Sequence, residues 1–253
     1  MPEPTDRPRR WLGATDIIVV SVVALAVGIP MLLAGDAPDR EQGGPCARPG
    51  SAVVDAIDDA GFAAGAGLPG RSDPELARDL EGMAATRARY LRFDLPWSSV
   101  EPEPGRYRWD QLDRVVDGAR ACGLEVVGLL TYSPEWARAA GTSEHAPPLD
   151  PDDFGAFVSR AVRRYAPRGV DVWEIWNEPN LDLFWEPAPD PAAYAELLAA
   201  AFDAVKAVDR DATVISAGLA PAADEPDGSR VSPVTFLEEA YAAGAGGHFD
   251  ALG

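Results

Sequence analysis

Cysteine and histidine are both scarce in this sequence, which has two of each among 253 residues. Cys46 and Cys122 are too few for a disulfide scaffold, and their spacing is not that of a metal site. Two interpretations of the pair stay open, one disulfide in an exported domain or two unpaired thiols. Nothing in the sequence suggests a metal or an organic cofactor.

Basic residues are also in short supply, with 22 Lys and Arg against 41 Asp and Glu, and a formal net charge of -19. A chain this acidic is repelled by phosphate, so nucleic acid is a poor partner. The charge favours a soluble, exposed domain that acts on neutral or cationic partners. The length and the hydrophobic fraction of 47% suffice for one large domain or two small ones.

Charged residues are absent from residues 17–34, a mostly apolar stretch. A helix of this length is just long enough to cross the hydrocarbon core of a bilayer. Arginines precede the stretch and acidic residues follow it, which places the N-terminus in the cytoplasm and the bulk of the chain outside. The alternative is a cleaved secretory signal, although the apolar part of such signals is usually shorter, about 7–15 residues.

Both interpretations export the rest of the chain. A segment rich in Pro, Gly and charge follows the apolar stretch and is typical of a flexible linker. The predicted parts are a cytoplasmic N-terminus at 1–16, a transmembrane signal-anchor at 17–34, a linker at 35–50 and a folded domain at 51–253.

Strand-like and helix-like segments alternate through the folded domain, which predicts right-handed βαβ units and a parallel sheet. Asp73, Asp150 and Asp190 each precede a proline, a pattern that predicts a helix N-cap followed by proline at the first helical position. The predicted strands are 61–66, 90–94, 125–131, 171–176, 213–217 and the beginning of a sixth at 249–252. The predicted helices are 73–85, 109–122, 151–165, 191–208 and 232–243.

The sheet is predicted to be a (β/α)8 TIM barrel rather than an open, doubly wound sheet. Residues 61–67 lack the G-x-G-x-x-G spacing of a dinucleotide site, and no Walker-type loop is present, so a nucleotide-binding open sheet has no motif to support it. Two strands have one apolar and one polar side, whereas a strand covered on both faces is apolar on both. The polar sides predict a site at the mouth of a barrel, with a solvated edge strand as the alternative. They consist of Arg92 and Asp94 in the second strand and of Glu174, Trp176 and Glu178 in the fourth.

Two motifs carry a family resemblance, YLRFDLPW at 90–97 and WEIWNEPN at 173–180. Over about residues 60–253 the chain resembles the clan A glycoside hydrolases. It is most similar to family 39, the β-xylosidases and exopolysaccharide endoglycosidases, and to the cellulase-like family 5. The resemblance implies a (β/α)8 barrel, of which about the first five and a half βα units are present, and a hydrolysis that needs no cofactor. Further matching segments are TYSPEWA at 131–137, SAG at 216–218 and HFDALG at 248–253.

The resemblance also implies a role for each matching residue. Glu178 is expected to be the general acid/base, and Asn177 is expected to hydrogen-bond the sugar 2-hydroxyl. Arg92 is expected to hold and ionise the nucleophile carboxylate. The residues expected to shape the sugar subsites are Trp97, Tyr132, Trp136 and Trp176.

Each role has a structural alternative. Glu178 could satisfy backbone donors at a helix N-terminus, and Arg92 could be a structural ion-pair partner. Asp94 and Glu135 are alternative carboxylates near the mouth. Phe184 and Trp185 follow Glu178 in a proline-rich loop, where contact with sugar and packing are equally expected.

The expected function is that of a retaining glycosidase that hydrolyses β-linked polysaccharide or oligosaccharide. Such an enzyme needs an acid and a nucleophile, two carboxyl groups about 5–5.5 Å apart. In clan A the nucleophile is a glutamate at the end of the seventh strand. This sequence reaches only the start of the sixth, so we expect it to be part of a longer chain. The alternative is a non-catalytic carbohydrate-binding barrel or a truncated pseudoenzyme without the nucleophile.

Overall fold

The computed structural model describes Cys46 and residues 60–253. The predicted signal-anchor at 17–34 and all of the predicted linker except Cys46 lie outside the described residues, as do residues 51–59. Within the part of the chain that is described, no helix combines the length and the apolar character needed to cross a membrane.

Five parallel strands form one sheet in the order β1-β2-β3-β4-β5. Each strand therefore pairs with the next one in the chain, without the reversal of order that defines a doubly wound sheet. A parallel bridge between Ile215 and Ala251 adds the beginning of a sixth strand at the far edge. The alternating α/β architecture predicted from the sequence is confirmed. The strands are β1 (Gly61–Gly65), β2 (Tyr90–Pro96), β3 (Glu125–Thr131), β4 (Val172–Ile175) and β5 (Thr213–Ile215).

The helices begin largely where the sequence places caps. Asp150 accepts a hydrogen bond from the backbone N–H of Asp152, and Asp190 does the same for two N–H groups of its helix, as predicted. The prediction of Asp73 as an N-cap is wrong by one residue, because Ser72 and Glu75 form a capping box in front of it. The helices are α1 (Asp73–Ala85), α2 (Trp97–Val100), α3 (Asp110–Ala121), α4 (Pro151–Tyr165), α5 (Pro191–Val208) and α6 (Pro233–Ala242).

The outward face of the sheet is apolar and packs under the helices. Leu91, Phe93, Trp173 and Ile175 have no exposed surface. Gly128 of β3 pairs with Trp173, and a Cβ at this glycine would lie 2.9 Å from the indole ring. A glycine at this position therefore leaves room for the largest side chain on the outward face.

Cys46 and Cys122 are joined by a disulfide across 76 residues of sequence, with their Cα atoms 4.9 Å apart. Of the two interpretations left open by the sequence, the structure has the bridged one. Cys122 caps the C-terminal end of α3, shortly before β3 begins. The bridge therefore lies at the N-terminal end of the sheet, opposite the strand ends described next.

Candidate active site

Arg92 and Glu174 form the central ion pair at the carboxyl end of the sheet. Arg92 Nε donates to Glu174 Oε2 at 2.5 Å, and Arg92 Nη2 donates to Glu174 Oε1 at 2.9 Å. The same Nη2 donates to Asn177 Oδ1 at 3.0 Å. The guanidinium of β2 thereby fixes a carboxylate of β4 and the amide that follows this strand, in the bidentate geometry that arginine favours.

Glu174 extends this network to the segment that follows β5. Its Oε1 accepts a hydrogen bond from the backbone N–H of Gly218 at 3.1 Å, and the carbonyl of Gly218 accepts one from the backbone N–H of Glu178 at 3.0 Å. Glu174 is 4% exposed. The alternation of side chains places Glu174 inward, but the sequence assigns it no role; its partner Arg92 lies 82 residues earlier.

Glu178 lies three residues beyond the end of β4, between the network and solvent. Its side chain is half-buried, and its backbone φ of 44° is in the left-handed region that residues other than glycine rarely adopt. Burial raises the pKa of the Glu178 carboxyl, and the guanidinium of Arg92 opposes that rise. A half-buried carboxyl with a raised pKa, on a residue with a strained backbone, is a candidate proton donor.

Asp94 is a second carboxyl at this end of the sheet, on the same side of β2 as Arg92. It is 6% exposed. Burial raises the pKa of Asp94 to about 6; the Arg92 guanidinium lowers this pKa and the Glu174 carboxylate raises it. Asp94 and Glu174 both pair with Leu129 of β3, so the two carboxyls lie in one row across the sheet.

Tyr132 directly follows β3, with a backbone φ of 62°. It is 7% exposed, and its ring lies 4.7 Å from that of His145, which in turn lies 5.2 Å from that of Phe184. Burial, and the nearby charges of Asp94, Glu144 and Glu178, raise the pKa of the Tyr132 hydroxyl, which is therefore neutral near pH 7. The sequence gives no signal for His145, because its place beside Tyr132 depends on the fold of a long loop.

Two of the predicted subsite tryptophans present no surface to a ligand. Trp176 is fully buried, and its Nε1 donates to the carbonyl of Phe184 at 2.7 Å. Trp97 is fully buried as well, stacked on Phe157 with its Nε1 donating to Glu101 at 2.8 Å. We therefore revise both from substrate contacts to packing residues.

Backbone geometry explains why the side chain of Trp176 is buried. Strict alternation of side chains requires an extended backbone, and Trp176 has a φ of 68°. The residue ends β4 and turns its indole into the aromatic packing around Phe154 and Trp185. The predicted strand end at Trp176 is accordingly one residue too long.

Trp136 is the predicted tryptophan that keeps exposed surface. It is partly buried, lies edge-on to Trp97 at 5.2 Å, and donates from Nε1 to the carbonyl of Glu101 at 2.9 Å. An open groove of about 410 Å³ begins near it, at the carboxyl ends of β2 and β3. The groove is lined by Ser98, Pro102, Pro134, Glu135, Arg138 and Glu144.

The remaining aromatic residues divide between packing and the rim. Trp185 is 1% exposed and packs on Trp176, whereas Phe184 keeps part of its surface beside His145.

Among the described residues, no cluster of His, Cys, Asp or Glu is arranged to hold a metal ion.

Several known proteins are similar to this chain. A β-xylosidase from Geobacillus stearothermophilus is 31% identical over 132 residues, which cover 47% of this chain and 26% of the relative. A β-xylosidase from Caldicellulosiruptor saccharolyticus is 32% identical over 117 residues, 41% of this chain and 23% of the relative. A solved family 39 β-xylosidase from Caulobacter crescentus is 27% identical with a TM-score of 0.55, over 81% of this chain and 46% of that one.

This chain is similar to the family 39 glycoside hydrolases. A solved family 39 glycoside hydrolase from Bacteroides cellulosilyticus WH2 shares the fold, with a TM-score of 0.56 at 24% identity over 78% of this chain and 37% of that one. No family model matches the sequence. The matched part spans about a quarter of the two curated β-xylosidases and less than half of each solved chain.

Proposed function

We propose that this family 39-like domain belongs to a retaining glycosidase that hydrolyses β-linked polysaccharide or oligosaccharide, with Glu178 as the general acid/base. The observation that carries the proposal is the position of Glu178, half-buried at the end of β4 with a raised pKa. A raised pKa lets a carboxyl keep its proton to higher pH than an exposed glutamate does, and a protonated carboxyl can protonate a leaving oxygen.

The reaction would proceed in two displacements. In the first, Glu178 donates its proton to the glycosidic oxygen while that oxygen leaves the anomeric carbon, and a carboxylate nucleophile bonds to the same carbon. In the second, Glu178 accepts a proton from water, and the water oxygen replaces the nucleophile. We assign the nucleophile to no residue of this chain.

The surrounding residues are proposed to position the sugar. Arg92 orients the amide of Asn177 through the 3.0 Å hydrogen bond to its oxygen. The Asn177 NH₂ group is then available to the sugar 2-hydroxyl. Tyr132 and Trp136 offer aromatic and hydroxyl surface that suits the C–H faces and hydroxyls of a pyranose.

We also propose that the domain is exported and works outside the cytoplasm, anchored through residues 17–34. The Cys46–Cys122 disulfide supports this location, because such bonds persist in oxidising compartments. A secreted form, cleaved after the apolar stretch, agrees with the bridge equally well.

The test of the activity is hydrolysis of 4-nitrophenyl β-glycosides by the full-length protein and its Glu178→Gln and Glu178→Ala variants. We expect kcat to fall by about 10²- to 10⁴-fold in both, since that is the usual contribution of acid–base catalysis. Azide should restore turnover of Glu178→Ala and give the β-glycosyl azide, because a small anion needs no general base. Glu125→Gln, at the opposite end of the sheet, is the control.

Three outcomes separate the possible functions. Full activity of Glu178→Gln contradicts the role of Glu178. An α-glycosyl azide contradicts the retaining mechanism. Sugar binding by the full-length protein without any hydrolysis identifies the non-catalytic carbohydrate-binding barrel instead.

A further inference from the structure

The carboxyl of Asp94 has no partner of its own in the described part of the chain. Asp94 is only 6% exposed, yet no hydrogen bond or ion pair joins its carboxyl to any described residue. Arg92 is the nearby cation, and its Nε and Nη2 donate to Glu174 and Asn177. Burying a carboxylate in this way costs free energy unless something else solvates it.

Asp94 also points toward the candidate site. It lies on the same side of β2 as Arg92, two residues closer to the strand's carboxyl end. The charges that act on it come from Arg92 and Glu174, and its own charge acts on the hydroxyl of Tyr132. A carboxylate without a protein partner at this position can accept a hydrogen bond from a bound ligand.

We propose that Asp94 is a specificity-determining residue that accepts a hydrogen bond from a sugar hydroxyl other than the 2-hydroxyl. The proposal rests on the proposed glycosidase function and deepens it. Asn177 is the proposed partner of the 2-hydroxyl, which leaves the 3- and 4-hydroxyls for a carboxylate on β2. A site built to bond a hydroxyl rejects analogues that lack it, because the buried acceptor is then left unpaired.

A neutral hydroxyl is the donor proposed for Asp94. The neighbouring Arg92 and Glu174 act on the pKa of Asp94 in opposite directions, the guanidinium lowering it and the carboxylate raising it. A hydroxyl donates one hydrogen bond to the carboxylate without adding charge, so it satisfies the acceptor at little electrostatic cost. An ammonium group of an amino sugar is the competing donor that the experiment below separates.

The experiment compares the full-length wild type with Asp94→Asn, Asp94→Leu and the control Glu125→Gln. The substrates are 4-nitrophenyl β-glycosides of xylose, glucose and mannose, followed by the 3-deoxy and 4-deoxy analogues of the one hydrolysed fastest. We expect Asp94→Leu to lower kcat/KM for the parent substrate by roughly 10²- to 10³-fold. For one deoxy analogue, wild type and Asp94→Leu should have nearly equal kcat/KM, because that analogue lacks the hydroxyl that Asp94 binds.

Binding of the same free monosaccharide, measured by calorimetric titration, provides a readout apart from hydrolysis. If the wild type binds sugar but cleaves nothing, the glycosidase function fails while the affinities of the variants and of the deoxy sugars still test Asp94. A penalty for Asp94→Leu that is equal on the parent and on both deoxy analogues overturns the proposal and makes Asp94 a structural residue. The wild type could also hydrolyse a 4-nitrophenyl β-glucosaminide faster than every neutral glycoside. If Asp94→Leu loses that preference, Asp94 binds an ammonium group, and the proposal of a neutral hydroxyl is overturned. A wild type that neither binds nor cleaves contradicts both proposals.

Discussion

Arg92 and Glu174 lie two strands apart in the sheet and are joined by two hydrogen bonds, at 2.5 and 2.9 Å. Glu174 is 4% exposed, and the Arg92 side chain is 24% exposed. The pair offsets the charge of Arg92 next to Glu178 and links β2, β4 and the segment after β5 through Gly218. The same contact therefore affects both the stability of the domain and the acidity of its candidate proton donor.

Glu174→Gln should destabilise the domain and make Glu178 more acidic. The guanidinium already lowers the pKa of Glu178, so removing the neighbouring negative charge strengthens that effect. Because Glu178 must be protonated to act as an acid, the alkaline limb of the pH profile of kcat/KM should move to lower pH. The free energy of unfolding should fall by about 3 kcal/mol, as expected when one partner of a buried pair is removed.

The exposed pair of Glu103 and Arg106 provides the control for this change. Its side chains are 56% and 67% exposed, so Glu103→Gln should change stability by less than about 1 kcal/mol. Urea unfolding and pH–rate profiles of both variants make the comparison. An alkaline limb that stays in place, or moves upward, in Glu174→Gln contradicts the electrostatic link between the pair and Glu178.

Asp94→Asn should stabilise the free protein, and more so at pH 7.5 than at pH 4. Burial raises the pKa of Asp94 from 3.8 to about 6, so the folded state holds this proton more tightly than the unfolded state. The contribution of Asp94 to stability is therefore highest below pH 4, falls as the pH rises to about 6 and stays low above it. Asparagine cannot ionise and so avoids this decrease in the free energy of unfolding, which amounts to about 3 kcal/mol. Urea unfolding of both proteins across this pH range gives the difference, and a difference independent of pH contradicts the burial argument.

Local patterns in the sequence predicted the bounds of a helix or strand correctly where those bounds depend on the element's own residues. The bounds of β3, α4 and α5 agree with prediction to the residue. For α4 and α5, an aspartate cap followed by proline marks the start independently of the rest of the fold. The helix α1 spans the predicted residues 73–85, but its N-cap was wrong by one residue, because Ser72 forms a capping box with Glu75.

The predictions for the site were incomplete where a side chain's orientation or partner depends on residues outside its own strand. The alternation of side chains predicts that Trp176 faces inward, but a positive φ and a hydrogen bond to the carbonyl of Phe184 turn it into the core. Glu174 was correctly placed inward, yet its hydrogen bonds to Arg92 and Gly218 span 82 and 44 residues. A single sequence carries no local signal for such pairs.

Loss of the Cys46–Cys122 disulfide should lower stability without lowering activity. The bridge closes a loop with a sequence separation of 76, and removing such a link usually costs about 2–4 kcal/mol. Because it lies at the end of the sheet opposite Glu178, kcat/KM should be unchanged at temperatures where the protein stays folded. Thermal unfolding of wild type with and without a reductant, and of the Cys46→Ser/Cys122→Ser double variant, measures the effect. The double variant should not respond to the reductant; a wild type that is equally indifferent contradicts a stabilising bridge.

Asn180 should stabilise the loop that holds Glu178 about as much as the Arg92–Glu174 ion pair stabilises the strands. Its side chain is fully buried and makes three hydrogen bonds of 2.9 Å, from Nδ2 to the carbonyls of Ala220 and Val231 and to Oδ1 from the N–H of Ala220. These bonds fasten the segment after β4 to the segment after β5. Asn180→Ala removes the partner of all three backbone groups, of which the two of Ala220 are buried, so we expect a loss of about 2–4 kcal/mol in the free energy of unfolding.

The same substitution should lower activity by less than the loss of Glu178 itself. Glu178 keeps its backbone hydrogen bond to Gly218 in Asn180→Ala, but the loop two residues later is no longer fixed. We therefore expect kcat/KM to fall by about tenfold, with the pH profile unchanged, because no charge near Glu178 is altered. Asp182→Ala, an exposed position in the same loop, is the matched control and should retain both stability and activity. If Asn180→Ala and Asp182→Ala unfold at the same urea concentration, the three hydrogen bonds do not hold the loop, and the position of Glu178 depends on the Arg92–Glu174 pair alone.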